Sequence, residues 1–178
     1  MNETMRAYTE WADIGDARRT HEFQAYVTNI SDARYVMRRA LRIIDEQAKQ
    51  HGLEPLLHQA LLQVYGADGG KGTTVGKLAD RLDVAPAFAS RMVRRLEELE
   101  LVRREQSADD RRATNVIATD AGAAKLESID NDVHHHVAFL QHQLSDDQRL
   151  SALSIFAFYV GLDHASPIAA AIRSETGH

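Results

Sequence analysis

Between His21 and His51 the apolar residues Phe23, Tyr26, Val27, Ile30, Ala33, Met37, Leu41, Ile44 and Ala48 line one face at helical steps of three and four. That period predicts a single long amphipathic helix, with Gly52 standing where a C-terminal cap belongs. At 1.5 Å per residue such a helix runs about 45 Å. A chain of 178 residues needs less than that for its own core. The surplus stripe is expected to pack on a partner chain, so 21–52 reads as a dimerisation helix. Residues 1–20 carry no clear period and read as an N-terminal arm or a short extra helix.

Shorter elements follow. Pro55 opens a helix with Leu57, Ala60, Leu61 and Val64 on one face, ending near Gly66. Asp68 to Gly72 is a turn. Thr73 or Thr74 can cap a helix carrying Val75, Leu78, Ala79 and Leu82. Asp83-Val84-Ala85 is a short turn, and Pro86 sits in the first turn of the next helix, where its missing N–H costs nothing. That helix, 86–99, sets Ala89, Met92, Val93, Leu96 and Leu99 on one face and Arg91, Arg94 and Arg95 on the other. Two short strands, 101–105 and 114–118, flank a charged tip at 107–112. Thr119 caps a helix running to about Leu144. Ser145 and Gln148 form a capping box for a last helix bearing Leu150, Leu153, Phe156, Val160 and Leu162, with a bend near Pro167.

Composition narrows the function. The chain has no cysteine, which excludes disulfides, Cys-ligated zinc, iron–sulfur clusters and thiol redox sensing. No signal peptide and no run of about 20 apolar residues is present, so a soluble cytoplasmic protein with no membrane partner is expected. Net charge is −5, yet 71–120 carries a net of +1 against −6 elsewhere, and seven arginines cluster between Arg91 and Arg112. Distribution matters more than total for nucleic-acid partners.

The order helix, short turn, arginine-bearing helix, charged hairpin is that of a winged helix-turn-helix. A major groove about 12 Å wide admits one helix, and the helix before it must brace it through a short turn. Arginines contact phosphate and read guanine edges. A hairpin with an arginine tip suits the minor groove. No nucleophile stands in a motif beside a base, and Gly69-Gly70-Lys71-Gly72 is not a phosphate loop, so no enzyme is expected and no cofactor.

Lys77-Leu78-Ala79-Asp80-Arg81-Leu82-Asp83-Val84-Ala85-Pro86 followed by Ser90-Arg91-Met92-Val93-Arg94-Arg95-Leu96-Glu97 resembles the helix-turn-helix of MarR-family regulators. Leu101-Val102-Arg103-Arg104, Asp109-Asp110-Arg111-Arg112 and Thr119-Asp120-Ala121-Gly122 are similar to that family's wing and following helix. The resemblance spans 74–122 most closely and 53–65 more weakly. It implies a mainly α fold with a small β wing: a winged helix-turn-helix at 53–120, flanked by N- and C-terminal dimerisation helices, the latter with linking residues at 121–178. It also implies a triangular homodimer on a pseudo-palindromic operator in double-stranded DNA, acting as a repressor that a small molecule releases. Ala85 and Ala87 stand where the family often has Ser, Phe88 where it often has a polar residue, and Glu100 where it usually has Gly.

The expected DNA contacts are Ser90, Arg91, Arg94, Arg95, Phe88, Ala87, Arg111, Arg112 and Asp110. Arg91 is the expected base reader, and Arg95 is a contact or a brace. Asp110 would orient Arg112 at the wing tip, with Arg111 the alternative tip residue. Phe88 either meets a thymine methyl or turns into the core. Arg34, Tyr35, Arg38, His58 and Tyr65, with Arg39 beside them, form the expected effector set, whose cations and aromatics suit an aromatic acid or its thioester. His134, His135, His136 and His142 offer a metal-responsive alternative, with Asp130 and Asp132 one turn before His134 and His136. Adjacent histidines diverge around a helix, however, so no metal site is expected. The other alternative is a winged-helix module that binds protein in place of DNA.

Overall fold

The computed structural model describes residues 23–67, 72–106 and 113–160. In order these form α1 (Phe23–Gln50), α2 (Pro55–Tyr65), β1 (Thr73–Thr74), α3 (Val75–Leu82), α4 (Pro86–Glu98), β2 (Val102–Gln106), β3 (Thr114–Ala118), α5 (Asp120–Gln143) and α6 (Asp146–Tyr159). The described residues divide into two compact units, the first holding 23–41 and 139–160 and the second lying within 42–138.

The second unit holds the core. Leu57, Ala60, Leu61 and Val64 of α2 bury against Leu78 and Ala79 of α3, Ala89, Met92, Val93 and Leu96 of α4, Val116 of β3, and Leu126 and Ile129 of α5. Leu61, Leu78, Leu96, Val64, Val93 and Val116 are fully buried. Each contributes roughly 1.5–3 kcal/mol of hydrophobic stabilisation relative to exposure.

Local chemistry sets the element ends. Gly52, at φ 74, ends α1: its N–H donates to the Lys49 carbonyl, and the Leu53 N–H donates to Ala48. Thr74 caps α3, its Oγ1 accepting from the Lys77 N–H at 3.3 Å. Asp83 ends α3 in the left-handed conformation, and the Val84 N–H reaches the Ala79 carbonyl. Pro86 then starts α4, with Ala85 extended at the N-cap and giving no side-chain cap. Glu100 adopts φ 59, where the Glu100 and Leu101 N–H groups close α4 on Glu97 and Leu96. The missing glycine has therefore not abolished the left-handed cap; a glutamate occupies it.

Two expectations change. The wing is part of a three-stranded sheet in the order β1-β3-β2, not a two-stranded hairpin alone. Thr73 pairs with Val116 and Thr74 with Asn115, both antiparallel. The first long wing strand starts at Val102, not Leu101, because the Leu101 N–H is already bonded to the Leu96 carbonyl. β2 and β3 pair from Val102↔Ala118 to Gln106↔Thr114.

Thr119 locks the wing to α5. Its N–H donates to the Leu101 carbonyl, its Oγ1 donates to the Glu100 carbonyl at 2.7 Å, and the same oxygen accepts from the Gly122 N–H. Gly122 is buried there; a Cβ would lie 2.1 Å from the Leu101 carbonyl oxygen.

In the first unit, Ser151 Oγ of α6 donates to Asn29 Oδ1 of α1, and Arg39 donates to Gln143 Oε1. Ser145 and Gln148 form the expected capping box. The buried face of α6 is not the apolar stripe of the sequence. Ser151, Ser154, Ile155 and Ala157 are buried, whereas Phe156 and Val160 are exposed. Leu162 and Pro167 lie outside the described residues.

Candidate nucleic-acid interface

The interface is built on α4, whose apolar stripe of Ala89, Met92, Val93 and Leu96 is buried in the core. Burying that stripe leaves Ala87, Arg91, Arg94 and Arg95 exposed, with Phe88 and Ser90 half-buried. Positions three and four apart share a helix face, so Arg94 and Arg95 both follow Arg91 on the outward side.

The three arginines differ in what holds them. The Arg91 guanidinium lies over the Phe88 ring, 5.2 Å from its centroid. Phe88 itself packs on the core, so one side of the ring is anchored and its face orders the cation. Arginine stacked this way keeps its edge N–H donors free for a bidentate acceptor. Arg95 donates to Glu98 at 2.8 Å, one turn further along. Arg94 has no ion pair among the described residues and is the least restrained cation of the helix.

At the start of α4, Pro86 has no N–H, and the Phe88 and Ala89 N–H groups both return to the Ala85 carbonyl. With no side chain capping this end, the Ala87 N–H has no partner among the described residues. A helix N-terminus with a bare amide and adjacent cations favours an anion such as phosphate.

On the wing, Arg103 pairs with Glu105 at 2.7 Å and Arg104 with Glu97 of α4 at 3.0 Å. These pairs neutralise the wing strands, and the Arg104–Glu97 pair also fastens the wing to α4. Asp110, Arg111 and Arg112 lie outside the described residues.

The expected effector residues fall in different units. Arg34, Tyr35 and Arg38 are exposed on the part of α1 belonging to the first unit. There Arg39 donates to the Tyr35 hydroxyl at 3.0 Å. His58 and Tyr65 belong to the second unit. Tyr65 is exposed; His58 is buried, with Nδ1 lacking a hydrogen-bond partner among the described residues. Burial lowers the His58 pKa from 6.5, against opposing pulls from Asp45 and Asp130.

No group of three metal-ligating side chains occurs among the described residues. His135 and His136 turn Nδ1 to the carbonyls of Asn131 and Asp132, one turn back on α5. The Asp132 carboxylate does not join His136; it meets His51 Nε2 at 2.8 Å, and Ser128 Oγ lies 3.3 Å from His51 Nδ1. Together with the Lys125 ammonium on the His51 carbonyl, these contacts clamp the end of α1 to α5. Nor is any helix among the described residues long and apolar enough to cross a membrane.

Residues 51–113 match the family model described as MarR family. The fold is similar to RV1404 from Mycobacterium tuberculosis, at 23% identity and a TM-score of 0.61, covering 76% of this chain and 94% of that one. It is also similar to wild-type apo MarR from E. coli, at 23% identity and a TM-score of 0.58, covering 71% and 91%. A third likeness is to the S. aureus MepR–DNA complex, at 19% identity and a TM-score of 0.57, covering 78% and 97%. No curated protein matches the chain by sequence. Residues 51–113 thus match the MarR-family model, in a chain whose fold is similar to that of solved MarR-type regulators.

Proposed function

We propose that the chain binds duplex DNA sequence-specifically as a homodimer and regulates transcription, repressing until a small molecule releases it. The observation that carries this reading is α4: its inner stripe is fixed in the core, and its outer face presents Arg91, ordered by Phe88, and the unpaired Arg94 beside a bare helix N-terminus. The similarity to MepR, solved bound to DNA, supports it. Ser90, Ala87, Phe88 and Arg95 complete the recognition surface, and Arg111, Arg112 and Asp110 serve the minor groove from the wing tip.

The dimer reading is supported by apolar side chains that the first unit leaves exposed: Phe23 and Val27 of α1, and Phe139, Phe156 and Tyr159 further along the chain. Arg34, Tyr35, Arg38, His58 and Tyr65 are the proposed effector contacts, and an aromatic acid or its thioester is the proposed effector class. The protein acts in the cytoplasm, where its operator is.

Selection from a pool of random duplexes, followed by fluorescence anisotropy, tests the central claim. A two-fold-symmetric site should emerge, with half-sites about 34 Å apart, one turn of duplex. Failure to enrich any sequence at low ionic strength refutes it. Releasing bound genomic fragments with a panel of aromatic acids and their thioesters tests the effector; no release by any member refutes that class.

A further inference from the structure

Ser128 and His51 stand 77 residues apart, so no local motif joins them, yet the fold sets them side by side. His51 follows α1 directly, and its backbone is held at both ends. Its N–H donates to the Gln47 carbonyl, and its carbonyl accepts from the Lys125 ammonium at 3.1 Å. Lys125, Ser128 and Asp132 lie on one ridge of α5, at steps of three and four. All three reach His51, and all four residues belong to the second unit.

The ring contacts give a proton a direction to move. Asp132 Oδ2 lies 2.8 Å from Nε2, and an ionised carboxylate only accepts, so in the neutral ring Nε2 carries the hydrogen. Nδ1 is then a lone pair, 3.3 Å from Ser128 Oγ, and the hydroxyl donates to it. A helical serine commonly turns its hydroxyl back on a carbonyl of its own helix; that of Ser128 goes to His51 instead. Ser128 and Asp132 are exposed, and the His51 side chain keeps 20% of its surface open. A nucleophile, a base within reach and a carboxylate that orients the base make up the arrangement for covalent attack. Donors for an oxyanion are not built in. The Ser128 N–H lies inside α5, and the Lys125 ammonium is turned to the His51 carbonyl. The arrangement therefore favours a single slow transfer over turnover.

We infer that Ser128 is a modification site that takes an acyl group from an activated acyl donor. Ser128 Oγ attacks the donor carbonyl, its proton passes to His51 Nδ1, and the Asp132 carboxylate steadies the imidazolium that forms. The bond made is between Oγ and the acyl carbon. The bond broken joins that carbon to the leaving oxygen or sulfur, which departs with the electron pair and takes the proton from His51. The product is an ester on Ser128, and no oxidant or reductant is needed. Esterification removes the hydroxyl hydrogen from Nδ1 and sets the acyl group against the joint between the end of α1 and α5. The assignment does not depend on DNA binding.

p-Nitrophenyl acetate is the probe, on the full chain at neutral pH, with the adduct read by intact mass and placed by peptide mapping. Acetyl should appear on Ser128 at least tenfold faster than on any other serine. Hydroxylamine should release it, as it does an ester and not a lysine amide. General-base help is worth roughly 10²–10⁴ in rate, so His51→Gln and Asp132→Asn should each slow the labelling of Ser128 at least tenfold. Asp132→Asn, altered only at an exposed side chain, should melt as the parent does. Long-range proton–nitrogen NMR of the parent should find the neutral His51 ring protonated at Nε2. Acetyl phosphate and S-acetyl-N-acetylcysteamine, in separate arms, distinguish a phosphate-borne from a thiol-borne acyl group. No Ser128 adduct with either, Ser128 labelled no faster than other serines, a rate unmoved by both substitutions, or a ring protonated at Nδ1 would each overturn the assignment. A chain that is acylated at Ser128 yet binds no duplex would sink the DNA-binding reading and leave this one standing.

Discussion

Glu100 holds a backbone conformation that a side chain with a Cβ adopts at a cost of roughly 1–2 kcal/mol. Glycine removes that strain and gives back part of it as extra freedom in the unfolded chain. Glu100→Gly should therefore raise unfolding stability by about 1 kcal/mol, read as a higher urea midpoint with unchanged slope. Gly122 presents the reverse case. Its Cα faces the Leu101 carbonyl oxygen at the foot of the wing on the side where a Cβ would stand, and an alanine there cannot fit without moving backbone. Gly122→Ala should cost on the order of 3 kcal/mol; a midpoint within error of the parent would contradict the packing described. His58 supplies a pH dependence. Its folded pKa lies below the unfolded value of 6.5, with burial the leading cause. The unfolded chain then binds more protons in the window below pH 6.5, so stability falls as pH drops through it. His58→Leu should flatten that part of the pH–stability curve, measured by urea melts between pH 5 and 8.

Among the elements, the helix ends were the most legible part of the sequence, because caps are local. Thr74, Gly52, Pro86 and the Ser145–Gln148 pair each act within a few residues of their own position, and each does what its type predicts. β1 was not legible. Two threonines show no alternation, and their partners, Val116 and Asn115, lie more than forty residues away. The α6 face misled for another reason: beside Ile155 its buried positions are small residues, Ser151, Ser154 and Ala157, while Phe156 points outward. On α4 the stripe and the cations were both readable, but not the division of labour among the arginines. Only the structure sets Arg91 on Phe88 and Arg95 on Glu98. From that division, Arg91→Ala should weaken operator binding by about 1–3 kcal/mol and relax one base position. Arg94→Ala should weaken all duplexes alike and lower the salt slope by about 1. Equal loss across all operator variants for Arg91→Ala would reassign it to phosphate.

At the level of the whole molecule, the prediction concerns mass. Phe156, 54% exposed, sits among the apolar side chains that the first unit leaves uncovered. Apolar exposure of that kind marks an association surface. Light scattering should give about twice the 19.9 kDa of one chain, and Phe156→Glu should return the monomer with the winged unit still folded. A parent protein that scatters as a monomer at micromolar concentration would remove the basis for a two-fold operator. The sheet has its own bearing on such crowding. With β3 in the middle, β2 is left as an outer strand whose far ladder faces no neighbour in the sheet. Unguarded edges of this kind invite strand-on-strand growth into fibrils. Here the strand displays Arg103, Arg104 and Glu105 to solvent, and a second wing approaching in register would have to strip water from those charges. Charge along that outer strand, Arg104 included, thus opposes polymerisation through it.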